Sequence, residues 1–449
     1  MTRALDPQLL SAVSQSVEAQ LGLHFPPERW KDLERGLGGA AAELGFENVE
    51  KCARELVLAK LNHAQVDALA AHLTIGETYF FRDPATFEAL ASQVFPALAQ
   101  EKQGLAKRLR IWSAGCCTGE EPYSIAIALR RALPDLDDWQ ITILATDINP
   151  QFLRRAAAGV YGQWSFRGVP EETRAAYFRR TPEGRFALLP SVRKMVTFAC
   201  LNLVEDVYPS LANNTNAMDL IFCRNVLMYF SGEQIRKVVA NLRRSLVDGG
   251  RLVVSATEAS LEVFGEFVPA GISGITLYRK ETLAPPVAVD PPPSLPLPVR
   301  LPEPVQLPAA KPRPAPVAPL DHAAEARRLA NEGQLAEALA ACDRALAEDK
   351  LVAPHHYLRG VILQEHNALD EAVAALKRAL YLDPDFVIAH FALGHLQVRK
   401  GRSREAARCF ANARSLLRTC APDAVLPESD GITAGRLLEI LTSMEEALA

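Results

Sequence analysis

Apolar positions at helical spacing open the chain. Leu9, Leu10, Val13 and Val17 recur in this way, and Leu56, Leu58, Leu61, Val66 and Leu69 do so again further on. They predict helices throughout residues 1–85. The pattern then changes to short apolar runs: Ile141-Thr142-Ile143-Leu144-Ala145-Thr146, Val196-Thr197-Phe198-Ala199-Cys200, Asp219-Leu220-Ile221-Phe222-Cys223, Leu252-Val253-Val254-Ser255 and Ile275-Thr276-Leu277-Tyr278. Such runs alternating with helical stretches predict an α/β fold, a doubly wound parallel sheet, over residues 86–283. A helix over residues 232–246 ends at Asp248-Gly249-Gly250, a stop signal with glycine past the end. Between residues 175 and 197, Tyr177-Phe178-Arg179-Arg180 and Phe186-Ala187-Leu188 flank a turn-rich stretch and predict a short inserted hairpin.

Residues 284–320 hold 14 of the chain's 31 prolines, a density that excludes helix and central strand. The expectation is an extended linker able to reach on the order of 100 Å. Beyond it an internal repeat sets in. Gly333, Asn367 and Gly401 are 34 residues apart, as are Ala338, Ala372 and Ala406, and Ala345, Ala379 and Ala413. A period of 34 with small residues where helices cross is the tetratricopeptide (TPR) signature, assigned to residues 321–420. Leu437, Leu438, Leu441 and Met444 predict a capping helix within residues 421–449. The array predicts a protein or peptide partner.

A length of 449 residues fits three modules. The net charge of -4 gives no sequence-wide pull toward nucleic acid or anionic membrane. No apolar run approaches the ~20 residues of a membrane span, and residues 1–19 lack a secretory pattern; the expectation is a cytoplasmic protein with no direct membrane insertion. The eight cysteines include no C-x-x-C pair and no histidine spacing suited to zinc, so no metal is expected.

The chemistry concentrates after the strands. Leu109-Arg110-Ile111 leads into Trp112-Ser113-Ala114-Gly115-Cys116-Cys117-Thr118-Gly119-Glu120-Glu121-Pro122-Tyr123-Ser124, which reads as strand, glycine turn and helix start. The G-x-G-x-x-G phosphate fingerprint is missing, and Glu120 and Glu121 put negative charge where a pyrophosphate would sit. A cationic cofactor fits better. Asp147, just past a strand, stands in the chain order where such folds place an acid on ribose hydroxyls. Asn202-Leu203 and Arg224-Asn225 likewise follow strands. Taken singly, Asp and Asn at such places also serve as helix caps and turn formers.

Thr78-Tyr79-Phe80-Phe81-Arg82-Asp83, the run from Trp112 to Ser124, Ala145-Thr146-Asp147-Ile148, Asn202-Leu203, and Ile221-Phe222-Cys223-Arg224-Asn225-Val226 with Tyr229-Phe230 together resemble the CheR family over roughly residues 1–280. Its members are S-adenosylmethionine-dependent methyltransferases that esterify glutamate side chains of bacterial chemoreceptors. The resemblance implies a class I methyltransferase sheet behind a small helical domain. It implies a cofactor site of Thr78, Arg82, Glu121, Asp147, Asn202, Leu203, Cys223 and Arg224, with S-adenosylhomocysteine as product. It places Tyr229 near the acceptor and matches Arg180 to an arginine there; a surface hairpin arginine is the equal alternative. Gly76 stands where many members carry Asn.

The implied partner is the cytoplasmic domain of a chemoreceptor. The family's arginine-rich docking helix is thin here: Arg29, Lys31 and Arg35 lie beside Glu28, Asp32 and Glu34, and Gly36-Leu37-Gly38-Gly39 follows. A solvated helix face is the other reading.

A sulfonium methyl is already electrophilic and an ionised glutamate already nucleophilic, so alignment rather than a general base is required. Arg82, through two donors, and Tyr229, through its phenol, are the candidates to hold the carboxylate. Alternatively, Arg82 pairs with Asp83 or Glu77 and Tyr229 belongs to the core. Two other functions compete: methyl transfer to a different protein or a small molecule, and a scaffold that binds cofactor without turnover.

Overall fold

In the computed structural model the described residues are 5–58, 60–102, 107–260, 262–281, 321–422, 424–429, 432–435, 437–438 and 440–441. The predicted proline-rich linker and the tail beyond residue 441, Met444 included, lie outside them.

The amino-terminal helices are Pro7–Leu21, Trp30–Glu43, Val49–Leu58 and His63–Leu73. Asp6 caps the first by accepting from Gln8 N at 2.8 Å. Val13, Val17, Leu33, Leu37, Leu56 and Leu69 form their common core. The glycine run departs from the family pattern for a packing reason. A Cβ on Gly36 would lie 2.4 Å from Leu73 Cδ2, and one on Gly39 would lie 2.4 Å from His72 Nδ1. The second and fourth helices therefore cross at a distance that a larger residue would forbid.

The strands are β1 (Arg108–Ala114), β2 (Gln140–Asp147), β3 (Val160–Tyr161), β4 (Phe178–Arg180), β5 (Phe186–Leu188), β6 (Val196–Cys200), β7 (Met218–Phe222), β8 (Leu246–Val254), β9 (Val268–Pro269) and β10 (Thr276–Arg279). Among the described residues the large sheet has seven strands in the order β6-β2-β1-β7-β8-β10-β9. The first five of these run parallel, while β10 is antiparallel to both neighbours. Alternate side chains feed two cores. Leu109, Ile111, Leu220 and Phe222 join one face with helix Glu120–Ala132. Trp112, Ala114, Leu144 and Ile221 join the other with helix Gly232–Ser245. Burial on both faces explains why the runs read as continuously apolar.

The inserted hairpin gains a third strand, since β3 pairs with β5 in the order β3-β5-β4. Val160 and Tyr161 make a run too short to stand out as a strand in sequence.

Among the described residues the carboxyl-terminal part forms three helix pairs: His322–Asn331 with Leu335–Glu348, Ala353–Glu365 with Leu369–Leu382, and Val387–Arg399 with Ser403–Leu417. The 34-residue period has a local cause. Gly333, Asn367 and Gly401 hold positive φ of 80°, 62° and 70° at the turn inside each pair. Ala338, Ala372 and Ala406 are fully buried at the crossings. Ala434, Leu437 and Leu441 pack onto the array's core, where the capping helix is expected.

The array rests on the amino-terminal ends of the large sheet. Arg110 of β1 is buried there and donates to the Glu365 carboxylate. Arg108 donates to the Glu365 carbonyl at 2.9 Å. Asn216 Nδ2 donates to the Ala330 carbonyl at 3.4 Å.

Candidate active site

Chain order places β1, β2 and β6 successively on one side and then returns to put β7 against the other edge of β1. The loops after β1 and β7 consequently part, and a crevice opens at the carboxyl ends of the strands. A cavity of about 530 Å³ lies there. The helical domain roofs it: Leu23 bridges to Phe230, His24 N donates to the Tyr229 carbonyl at 2.8 Å, and Asn202 Nδ2 donates to the Gln20 carbonyl at 2.7 Å. Asn149 pins the other side, giving its amide to the Ala70 carbonyl at 3.2 Å and to Thr74 Oγ1 at 2.9 Å.

The loop after β1 is shaped by Gly115 at φ 82° and Gly119 at φ 92°. A Cβ on Gly115 would stand 2.3 Å from Val226 Cγ2, so the crevice is open there only because the side chain is missing. Asp147, at the end of β2, accepts from Cys117 N at 2.8 Å and from Asn149 N at 2.9 Å. These bonds fix the carboxylate in the cavity wall. Burial outweighs them and raises its pKa from 3.8 to about 6.

Glu121 is held from two sides, by Ser113 Oγ at 2.8 Å and Arg224 Nη1 at 3.5 Å. Its pKa is raised by burial, against the pull of Arg224. Arg224 in turn donates to the Arg82 carbonyl at 3.1 Å and to Asp83 Oδ2 at 3.2 Å. Arg82 does not pair with Asp83. It donates to the Glu77 carbonyl at 2.7 Å, while the Glu77 carboxylate goes to Arg167.

Thr78, Arg82, Glu121, Asp147, Asn202, Leu203, Arg224 and Tyr229 thus all line one cavity. Two expected residues do not. Cys223 is buried in the apolar cluster with Trp112 and Ile221, because its place in the pleat points it away from the crevice. Arg180 is exposed on β4, an edge strand of the small sheet, and does not line the cavity. Cys117, in the turn, has its thiol pushed up to about 12 by burial, which keeps it protonated and unreactive.

Other walls carry no legible signal in sequence. Leu21, Leu23 and Phe152 line the cavity, and apolar residues there look like ordinary core. Phe152 accounts for Gly76, since a Cβ at 76 would lie 2.7 Å from its ring. Arg29 also reaches the cavity, whereas Arg35 turns outward to Asp32 at 2.7 Å.

These donors and walls fit S-adenosylmethionine. Asp147 offers a carboxylate to a ribose diol, and the apolar walls can take an adenine ring. Glu121 offers negative charge near a cationic amino-acid end. Arg224 Nε is buried without a hydrogen-bond partner among the described residues, which leaves a donor for a ligand carboxylate.

The comparisons agree with this geometry. Residues 76–268 match the family described as CheR methyltransferase, SAM binding domain, and residues 360–401 match a TPR repeat. The probable biofilm formation methyltransferase WspC of Pseudomonas aeruginosa is 32% identical over 395 residues, spanning 80% of this chain and 92% of that protein. Its namesake from Pseudomonas putida is 32% identical over 354 residues, spanning 74% and 82%. Chemotaxis protein methyltransferase 1 of P. aeruginosa is 39% identical over 204 residues, spanning 44% and 70%. The chain belongs to the CheR methyltransferase family and is an S-adenosylmethionine-dependent methyltransferase that carries a carboxyl-terminal TPR array.

Proposed function

We propose that this enzyme methylates glutamate side chains in the cytoplasmic domain of a chemoreceptor, producing glutamate methyl esters. The observation that carries the reading is that Arg82 and Tyr229 line the same cavity as Glu121, Asp147 and Arg224. When bound, S-adenosylmethionine supplies a methyl group already activated by its sulfonium.

The protein's task is to hold the acceptor. Arg82, anchored at one nitrogen by the Glu77 carbonyl, keeps other donors for an incoming carboxylate. Tyr229 adds a phenol whose backbone is fixed by the bond from His24 N. No side chain needs to remove a proton, because the acceptor enters ionised. The apolar walls thin the water around it, and alignment can contribute ~7–11 kcal/mol.

A second reading concerns the pathway. Both WspC relatives match over 80% and 74% of the chain, a longer share than the catalytic region alone, and they are named for biofilm formation. That favours a receptor that feeds biofilm formation over one that steers swimming.

The test is mass spectrometry of receptors from cells with and without this protein, searching for glutamate methyl esters. Esters that depend on the protein and vanish with Arg82→Ala support the proposal. Methyl label appearing only on other residues or on small molecules rejects it.

A further inference from the structure

One stretch of chain, residues 201–217, joins the cofactor cavity to the face on which the array rests. At its start, Leu201, Asn202 and Leu203 line the cavity. Further on, Leu211 packs against both apolar clusters of the array, and Asn216 donates to Ala330. Bonds inside the stretch make it one body. Tyr208 Oη donates to the Leu203 carbonyl at 2.7 Å, Asn213 Nδ2 to the Val207 carbonyl at 2.7 Å, and Thr215 N to the Ser210 carbonyl at 3.1 Å.

Arg110 ties this body to the array. Its Nη2 donates to Asn214 Oδ1 at 2.6 Å and its Nε to the Asn216 carbonyl at 3.2 Å, while Nη1 reaches the Glu365 carboxylate. Trp112, two residues on along the same face of β1, meets the Tyr208 ring edge-on at 5.4 Å and donates to Thr146 Oγ1 at 2.9 Å, beside Asp147. From Glu365, therefore, one route runs along the loop to Leu203 and a second along β1 to Asp147.

The carboxylate that neutralises buried Arg110 comes from the array. If the array lifts away, Arg110 must turn toward water, and Asn214 and Asn216 lose their common donor. We propose that docking of the array holds residues 201–217 in the arrangement that retains the cofactor, whatever the acceptor. A partner of the array reaches this control by competing for the docked face. The array's face already accepts Arg110 at Glu365 and the aliphatic side chain of Leu211 on its apolar clusters, so it fits a protein segment presenting an arginine and an aliphatic residue in that arrangement.

The experiment uses the full chain, with S-adenosylhomocysteine binding by calorimetry and radius of gyration by small-angle scattering. Glu365→Lys opposes Arg108 and Arg110 with like charge, Glu365→Gln keeps an acceptor, and Leu211→Asp attacks the interface from the catalytic side. Expected are an enlarged radius and a dissociation constant raised at least about fivefold for Glu365→Lys and Leu211→Asp, with Glu365→Gln between them and the parent. Circular dichroism identifies any variant that has lost its helices, and the other then decides. An enlarged radius with unchanged affinity overturns the proposal, as does an unchanged radius in both variants. Failure of the parent chain to bind would instead strike at the pocket itself.

Discussion

Burial of the Asp147 carboxylate in the cavity wall carries a cost that can be read as a pH dependence. Its carboxyl pKa is raised from 3.8 to about 6 because burial outweighs the bonds from Cys117 N and Asn149 N. A raise of that size corresponds to about 3 kcal/mol between the protonated and ionised forms. The folded state binds the proton more tightly than the unfolded chain. The favourable contribution is therefore present below 3.8 and is lost as pH rises through about 6. Asp147→Asn removes the titration. The amide leaves one of the two N–H donors without an acceptor, but that penalty does not change with pH, so the slope carries the test. The assay is urea unfolding of ligand-free parent and variant at intervals between pH 4 and pH 8. Relative to the variant, the parent should lose up to about 3 kcal/mol across this range. S-adenosylhomocysteine should bind the parent more tightly as pH rises through 6, when the carboxylate can accept ribose hydroxyls. Parallel stability profiles would refute the account of Asp147.

Three further outcomes are expected. Gly115→Ala puts a Cβ 2.3 Å from Val226 Cγ2 at a φ of 82°; the product's dissociation constant should rise at least about tenfold, or about 1.4 kcal/mol by calorimetry, and unaltered binding would contradict the placement of the crevice. Arg224→Met takes from half-buried Glu121 the nearer of its two cations, with Arg82 left, and should destabilise by about 2 kcal/mol in denaturant titration; a loss below about 0.5 kcal/mol would show the pair to be inert. Asn149→Ala removes the cap of helix Pro150–Ala158 and the tie to Ala70 and Thr74. A cost of about 2 kcal/mol is expected, with faster amide exchange in helix His63–Leu73; unchanged exchange there would argue against its bracing role.

The strands were legible because burial on both faces leaves them apolar throughout, and the array because Gly333, Asn367 and Gly401 each occupy the same left-handed turn. Asp147, Asn202 and Arg224 were legible because a polar residue just past an apolar strand has few places to go except the crevice. Cys223 marks where that logic stops, since one position along a strand reverses the side a residue faces, while Arg180, matched through the resemblance alone, sits on the separate small sheet. Much of the cavity's apolar wall, Leu21, Leu23 and Phe152 among it, resembles core in every respect that a sequence can display. Glu365 was hidden as well, because a glutamate on a helix reads as surface. Arg110, set between Leu109 and Ile111 in a strand buried on both faces, was the available sign that something charged had to meet it.

The two ends of β1 face the array and the crevice. Seven residues at ~3.3 Å each separate the array's contact at Arg108 from the crevice beyond Ala114 by roughly 20 Å. An array partner and a methyl acceptor can therefore be bound at once, in a ternary complex. Kinetically, such a partner behaves as a noncompetitive modifier toward the acceptor: raising the acceptor's concentration does not displace it, and its influence appears in maximal velocity or in the cofactor's Michaelis constant. An influence on the array and methyl transfer at the crevice would then meet in one polypeptide without sharing a door.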